Sequence, residues 1–218
     1  LYTDYGLLTC REDIGRDVHD VFMQITSPGH VPSLKKLLIS PFTLHDAMIG
    51  KIRAEAEIAA RGGNGRIVAK MNSLVEPEII RALYEASQAG VSVDLIVRGV
   101  CCLRPGVQGI SDNIRVRSII GRFLEHPRVF VFQADGQPEV WASSADWMDR
   151  NFFYRVETCF PVEDATLKQR IIDDLELNLW DNSQAWTLGP RGEFARLSPE
   201  SDLPVACQSV LLENLTES

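Results

Sequence analysis

Between positions 98 and 128 the chain carries six arginines (Arg98, Arg104, Arg115, Arg117, Arg122 and Arg128) against two acids, Asp112 and Glu125. That leaves a local charge of +4 in a chain whose formal net charge is −8. A guanidinium is a planar fork of donors whose spacing matches phosphate or carboxylate oxygens. A basic island in an acidic chain therefore points to a small anionic substrate rather than to a nucleic-acid surface. One histidine, His126, lies in the island, directly after Glu125 and two positions before Arg128. Imidazole serves phosphoryl chemistry as nucleophile or as acid and base, while neighbouring cations neutralise oxygen charge.

These groups need a scaffold, and the apolar patterning supplies one. Ile67-Val68-Ala69-Lys70-Met71-Asn72 reads as a strand, Glu76 to Ala89 as a helix stopped by Gly90, and Val91 to Val97 as the next strand. Strand, helix, strand at this spacing is a βαβ unit, so part of the sheet is parallel. Ligands of open α/β sheets bind at the carboxyl ends of parallel strands. Lys70, Asn72 and Arg98 are thus expected to face one crevice. Upstream, Glu12 to Ile25 reads as an amphipathic helix ending before Ser27-Pro28-Gly29, Leu37 to Ser40 as a short strand, and Thr43 to Arg61 as a helix closed by Gly62-Gly63. Downstream, Arg115–Ile120, Arg128–Gln133, Glu139–Ser143 and Phe153–Phe160 read as strands, with Asp135-Gly136 as a hairpin turn. Ala165 to Trp180 reads as a helix and Trp186 to Arg196 as a hairpin around Gly189-Pro190-Arg191-Gly192. Beyond Ser198 the chain is either a frayed tail or a short docking helix. The fold class is α/β, a mixed β-sheet flanked by helices.

Composition sets the outer limits. With 218 residues, 45% hydrophobic and 24% charged, the chain is long enough to bury a sizeable core. No apolar run approaches the ~20 residues of a membrane span, and no signal-peptide pattern opens the sequence. The five cysteines have neither scaffold nor metal-ligand spacing and read as reduced thiols of a cytoplasmic protein. Leu1 to Thr9 reads as a strand already in progress, without an initiator methionine, as in a fragment of a longer protein.

His126-Pro127-Arg128 followed by Ser143-Ser144-Ala145-Asp146 resembles half of the phospholipase D superfamily signature, a His-x-Lys pair with a later aspartate and a Gly-Ser-x-Asn turn. Arg128 stands for the lysine, Gln133 for the aspartate and Asp146 for the asparagine. A closer resemblance rests on Leu1-Tyr2-Thr3-Asp4-Tyr5, Lys70-Met71-Asn72-Ser73-Leu74-Val75 and the run from Leu95 to Gly106. It continues through Asn113 to Ile119, Arg122-Phe123-Leu124-Glu125-His126 and Ser143 to Met148. Together these motifs resemble the second C-terminal, phospholipase D-like domain of bacterial polyphosphate kinase, over roughly residues 1 to 185.

That resemblance implies residues 1–10 as the end of a preceding catalytic domain, 11–185 as the phospholipase D-like domain, and 186–218 as a hairpin and tail. It implies reversible transfer of the terminal phosphate of ATP onto inorganic polyphosphate through a phosphohistidine on an upstream domain. By resemblance Tyr2 contacts ATP, Arg98 binds its phosphates and His126 is the second active-site histidine. Lys70, Asn72, Arg115, Arg117 and Arg122 are candidate phosphate or polyphosphate contacts. ATP or ADP is the expected substrate, and Mg2+ is expected with ligands outside this chain. Expected partners are upstream domains of the same polypeptide, in a homo-oligomer, with no nucleic acid. The expected location is cytoplasmic, with peripheral association at the inner membrane face. Two other readings stay open: a non-catalytic anion-binding module, favoured by Gln133 and Asp146, and a phosphodiesterase using His126 in a dimer.

Overall fold

The structure, a computed structural model, describes residues 1–27 and 33–216. In chain order the elements are β1 (Tyr2–Thr3), α1 (Glu12–Thr26), β2 (Leu38–Ile39), α2 (Leu44–Ala60), β3 (Arg66–Met71), α3 (Pro77–Gln88), β4 (Ser92–Val97), β5 (Ile114–Ile119) and β6 (Leu124–Glu125). They continue with β7 (Arg128–Phe132), β8 (Glu139–Ser143), α4 (Asp149–Phe153), β9 (Thr158–Pro161), α5 (Ala165–Trp180), β10 (Ala185–Leu188), β11 (Phe194–Arg196) and α6 (Cys207–Thr216).

Among the described residues, nine strands form one mixed sheet in the order β11-β10-β5-β4-β3-β7-β8-β9-β2. The βαβ unit is present: β3 and β4 run parallel with Met71 opposite Val97, and β5 continues parallel with Ile96 opposite Arg117. β7 returns antiparallel along β3. Alternation along the strands then divides the core. Ile67, Ala69, Met71, Val93, Leu95 and Val97 face Met48 and Ile52 of α2 and Ile79 and Leu83 of α3. Val68, Ile96, Val129 and Val131 face Ile171 and Leu175 of α5 on the other side. Each of the buried Val, Leu, Ile and Met side chains contributes about 1.5–3 kcal/mol, so the central strands are fixed in register by both faces.

The helix starts follow from local chemistry. The Glu76 carboxylate accepts the amides of Glu78 and Ile79 at 3.1 and 2.7 Å, and Pro77 fills the first turn of α3 where no amide is needed. Asp164 caps α5 in the same way through the amides of Thr166 and Leu167. Gly90 follows α3 at φ +100°, a backbone that an L side chain rarely adopts.

Most expected elements are present, the docking helix of the tail among them, with two differences. The expected strand Phe153–Phe160 is split: α4 takes its first residue and β9 begins only at Thr158. Glu157 is the cause, because its carboxylate binds Asn151 Nδ2 at 2.6 Å and Ser144 Oγ at 2.5 Å and draws the intervening chain inward. Leu1 to Thr9 contributes only the two-residue β1, which pairs with β6 rather than with the main sheet. The tail forms α6, whose Cys207 and Gln208 are buried. The hairpin at Trp186–Arg196 is found, and its first strand extends the main sheet against β5. The Pro28-Gly29 expected to stop the first helix lies outside the described residues.

Candidate active site

The carboxyl ends of β3 and β4 meet the start of β7 and the turn after β8, and the polar side chains of all four segments are joined there. Arg98, the residue after β4, donates from Nε to Asn72 Oδ1 at 2.8 Å. The two segments approach closely because residue 99 is glycine: an added Cβ would sit 2.8 Å from the Asn72 carbonyl oxygen. Arg98 forms no ion pair among the described residues, so its positive charge is not balanced by a carboxylate. An uncompensated guanidinium at a strand end is an anion site in waiting.

Asp146, 4% exposed, ties the strand ends together. Its Oδ1 accepts the amides of Asn72 (2.7 Å) and Ser73 (3.2 Å) and Nε of Arg128 (3.2 Å), while Oδ2 accepts Arg128 Nη2 at 3.1 Å. The third nitrogen of Arg128, Nη1, reaches the His126 carbonyl oxygen at 3.0 Å and lies 3.1 Å from ring Nε2. On its other side, His126 Nδ1 lies 2.7 Å from Asp4 Oδ2. The pairing of β1 with β6, Tyr2 opposite Leu124 and Thr3 opposite Glu125, delivers Asp4 to that place. The same pairing sets the Tyr2 ring 5.1 Å from the His126 ring, centroid to centroid. Tyr2 remains 63% exposed, a flat aromatic surface beside a histidine at the mouth of the site.

Asn72, Arg98, His126 and Tyr2 are thus linked in one site, whereas the other expected contacts are engaged elsewhere. Lys70 is buried and its Nζ binds Glu125 at 2.5 Å and Asn178 Oδ1 at 2.6 Å, beneath the segment that carries His126. The crevice expected for Lys70, Asn72 and Arg98 therefore contains only the last two. Arg115 binds Asp94 and Ser92. Arg117 points to the carbonyls of Asn178 and Asp181, and burial lowers its pKa without unseating its charge. Arg122 is exposed, its guanidinium 5.4 Å over the Phe123 ring. Of the nearby thiols, Cys101 is pushed up to about 11 by burial, which makes it a poor nucleophile.

A cleft of about 890 Å³ adjoins the site between β1, α5 and α6. Asp4, Glu125, Asp173 and Asp174 line it against Lys70 and Arg170, so its charge suits a polyanion poorly. Arg98 and Asn72 stand at the strand ends and are not among the residues that line it. In the sequence Asp146 stands out only as a departure from the superfamily pattern, and Asp4 is no candidate site residue. The signal for Asp146 was available in the paired departure from the His-x-Lys and Ser-x-Asn pattern, a longer cation at 128 matched by a new acid at 146. For Asp4 no local signal existed, since its partner lies far along the chain.

No group of three or more His, Cys, Asp or Glu side chains able to hold a metal is present among the described residues. Asp4, Glu125 and Asp146, the carboxylates around His126, are each engaged with a cation, a donor or the imidazole. These residues do not fit a resident magnesium ion.

The fold defines a domain of phospholipase D-like architecture, with an arginine and a histidine linked at its strand ends. A phospholipase D family member, Nuc from Salmonella typhimurium, aligns with 71% of this chain and 97% of its own at a TM-score of 0.51 and 15% identity, which supports the fold alone. The family model for polyphosphate kinase C-terminal domain 2 matches residues 37–208. The chain belongs to the polyphosphate kinase family. It is 53% identical over 217 residues to a polyphosphate kinase of Xylella fastidiosa, covering 99% of this chain and 31% of that protein. The crystal structure of polyphosphate kinase from Porphyromonas gingivalis superposes at a TM-score of 0.92, with 38% identity, over 96% of this chain and 32% of its own. The chain thus spans under a third of the length of the curated relative it matches.

Proposed function

We propose that this chain forms one wall of the ATP and polyphosphate site of a longer polyphosphate kinase. In that protein the terminal phosphate of ATP moves reversibly onto polyphosphate through a phosphohistidine on an upstream domain. The carrying observation is the unbalanced guanidinium of Arg98, bound to Asn72 at the carboxyl end of β4 and joined through Asp146 and Arg128 to His126. Phosphoryl transfer asks little covalent chemistry of a protein and much positioning and charge neutralisation. Arg98 neutralises phosphoryl oxygens, and its bond to Asn72 fixes the direction of the fork. His126, held by Asp4, acts opposite the phosphorylated histidine as acid and base or as charge support. The exposed Tyr2 ring packs on the nucleotide. Arg122, exposed beside the site, is the candidate contact for the leaving polyphosphate, while Lys70, Arg115 and Arg117 serve the scaffold. Mg2+ is bound by residues outside this chain. Among the described residues no helix is long and apolar enough to cross a membrane. The proposed location is cytoplasmic, peripheral to the inner membrane face, in a homo-oligomer.

The test is polyphosphate synthesis by this chain alone and joined to the upstream domains, with ATP, magnesium and a polyphosphate primer. The isolated chain, folded by circular dichroism, is expected to give no chain growth, and the joined chain to elongate the primer. Enzyme-dependent elongation by the isolated chain would remove the need for an upstream phosphohistidine.

A further inference from the structure

Arg128 has little left to offer a ligand. Two of its nitrogens bind Asp146 in a bidentate pair, the third binds the His126 carbonyl and faces its ring, and the side chain is 13% exposed. A lysine ammonium could not span both partners, and an asparagine at 146 could not balance the guanidinium. The two departures from the superfamily signature are therefore coupled: the arginine at 128 and the aspartate at 146 form one internal ion pair. The other half reaches further. The same Asp146 oxygen that holds Arg128 holds the amides of Asn72 and Ser73, and Asn72 orients Arg98.

We infer that Asp146 is a positioning residue that sets the spacing between His126 and Arg98, through Arg128 on one side and the Asn72-Ser73 turn on the other. The inference rests on the proposed function in that both groups act on one phosphoryl group. Asp146 touches no substrate. Its carboxylate fixes where the imidazole and the guanidinium stand, and small misplacements of such groups cost turnover far more than affinity. A merely structural ion pair would instead change stability and leave the kinetic constants of the folded fraction alone.

The experiment uses the full polypeptide carrying this domain, as parent, Asp146→Asn, Arg128→Lys and the double variant. Thermal melting reports the fold, steady-state kinetics separate kcat from KM for ATP, and nitrogen-15 ring resonances report the setting of His126. Asp146→Asn is expected to lower kcat about 100-fold while KM stays within about 3-fold. The double variant, which restores the lysine and asparagine together, is expected to regain at least about tenfold of that loss, because partners in one pair do not add. The His126 ring signals are expected to shift in each single variant and move back in the double. A folded Asp146→Asn with unchanged kcat and unchanged His126 signals would overturn the inference, as would a double variant no better than the worse single. If Asp146→Asn fails to fold, Arg128→Lys against the double variant gives the same decision. A parent without polyphosphate synthesis would sink the functional reading instead, and the His126 signals alone would then decide the positioning role.

Discussion

His126 is gripped by residues that lie far apart along the chain, Asp4 on Nδ1 and Arg128 on Nε2. Such a grip suits a group that must hold one orientation through a phosphoryl transfer. Replacing it by alanine in the full polypeptide is expected to lower turnover by about 100-fold or more, the scale of a lost acid–base group. Label from ATP is expected to persist, at a reduced level, on the upstream histidine peptide. Acid-labile phosphate found on the peptide that contains His126 would make it a covalent carrier and contradict its supporting role. At this scale the sequence was informative about residue type and less so about partners. Arg98 and Asn72 could be placed because strand ends are legible from apolar runs. The diversion of Lys70 to Glu125 could not, because a buried ammonium looks the same in sequence as one aimed at a ligand. Its partner sits on a two-residue strand that no periodicity marks.

Among the elements, β6 depends on that buried pair. Lys70→Met leaves the Glu125 carboxylate without its cation in a site 5% exposed, and is expected to destabilise the domain by about 3–5 kcal/mol in urea unfolding. Lys70→Met with Glu125→Gln is expected to cost less than the single change, and an equal or larger loss would mean that the pair is not the source. At the far end of the sheet, Glu139 of β8 accepts from Lys51 of α2, whose Nζ lies 4.3 Å over the Trp141 ring. Burial works against the Glu139 charge, but the bonds from Lys51 and Trp141 and the positive charge of Lys51 together outweigh it, so the pKa falls below its usual 4.5. A depressed carboxyl stabilises the fold above about pH 4.5 and loses that contribution as pH falls through the folded value. Lys51→Met is therefore expected to lower stability near neutrality by no more than about 1 kcal/mol, the range of exposed pairs, and to flatten its fall below about pH 4.5. An unchanged acid limb would show that Lys51 does not set the Glu139 charge. The misplaced strand at Phe153–Phe160 is instructive here. Its hydrophobic alternation satisfied the strand pattern, but the bonds of Glu157 to Asn151 and Ser144 are tertiary and override it.

For the whole molecule the proposed function sets a problem of charge, because a chain of net charge −8 is asked to hold a polyanion. Its overall field repels one, so affinity must come from a local group whose charge is unspent. The arginine island, legible as composition, is not uniform: Arg115 shares its charge with Asp94, whereas Arg98 has no acidic partner among the described residues. Two arginines of one cluster are thereby set apart by their neighbours, which composition could not do. Calorimetric titration of ATP into the parent chain, Arg98→Ala and Arg115→Ala at low salt tests this most directly. Arg98→Ala is expected to weaken binding by about 1.5–3 kcal/mol, the range for hydrogen bonds to charged groups, with Arg115→Ala close to the parent. Equal affinity of Arg98→Ala and parent, or the same loss in both variants, would contradict a built phosphate site at the end of β4.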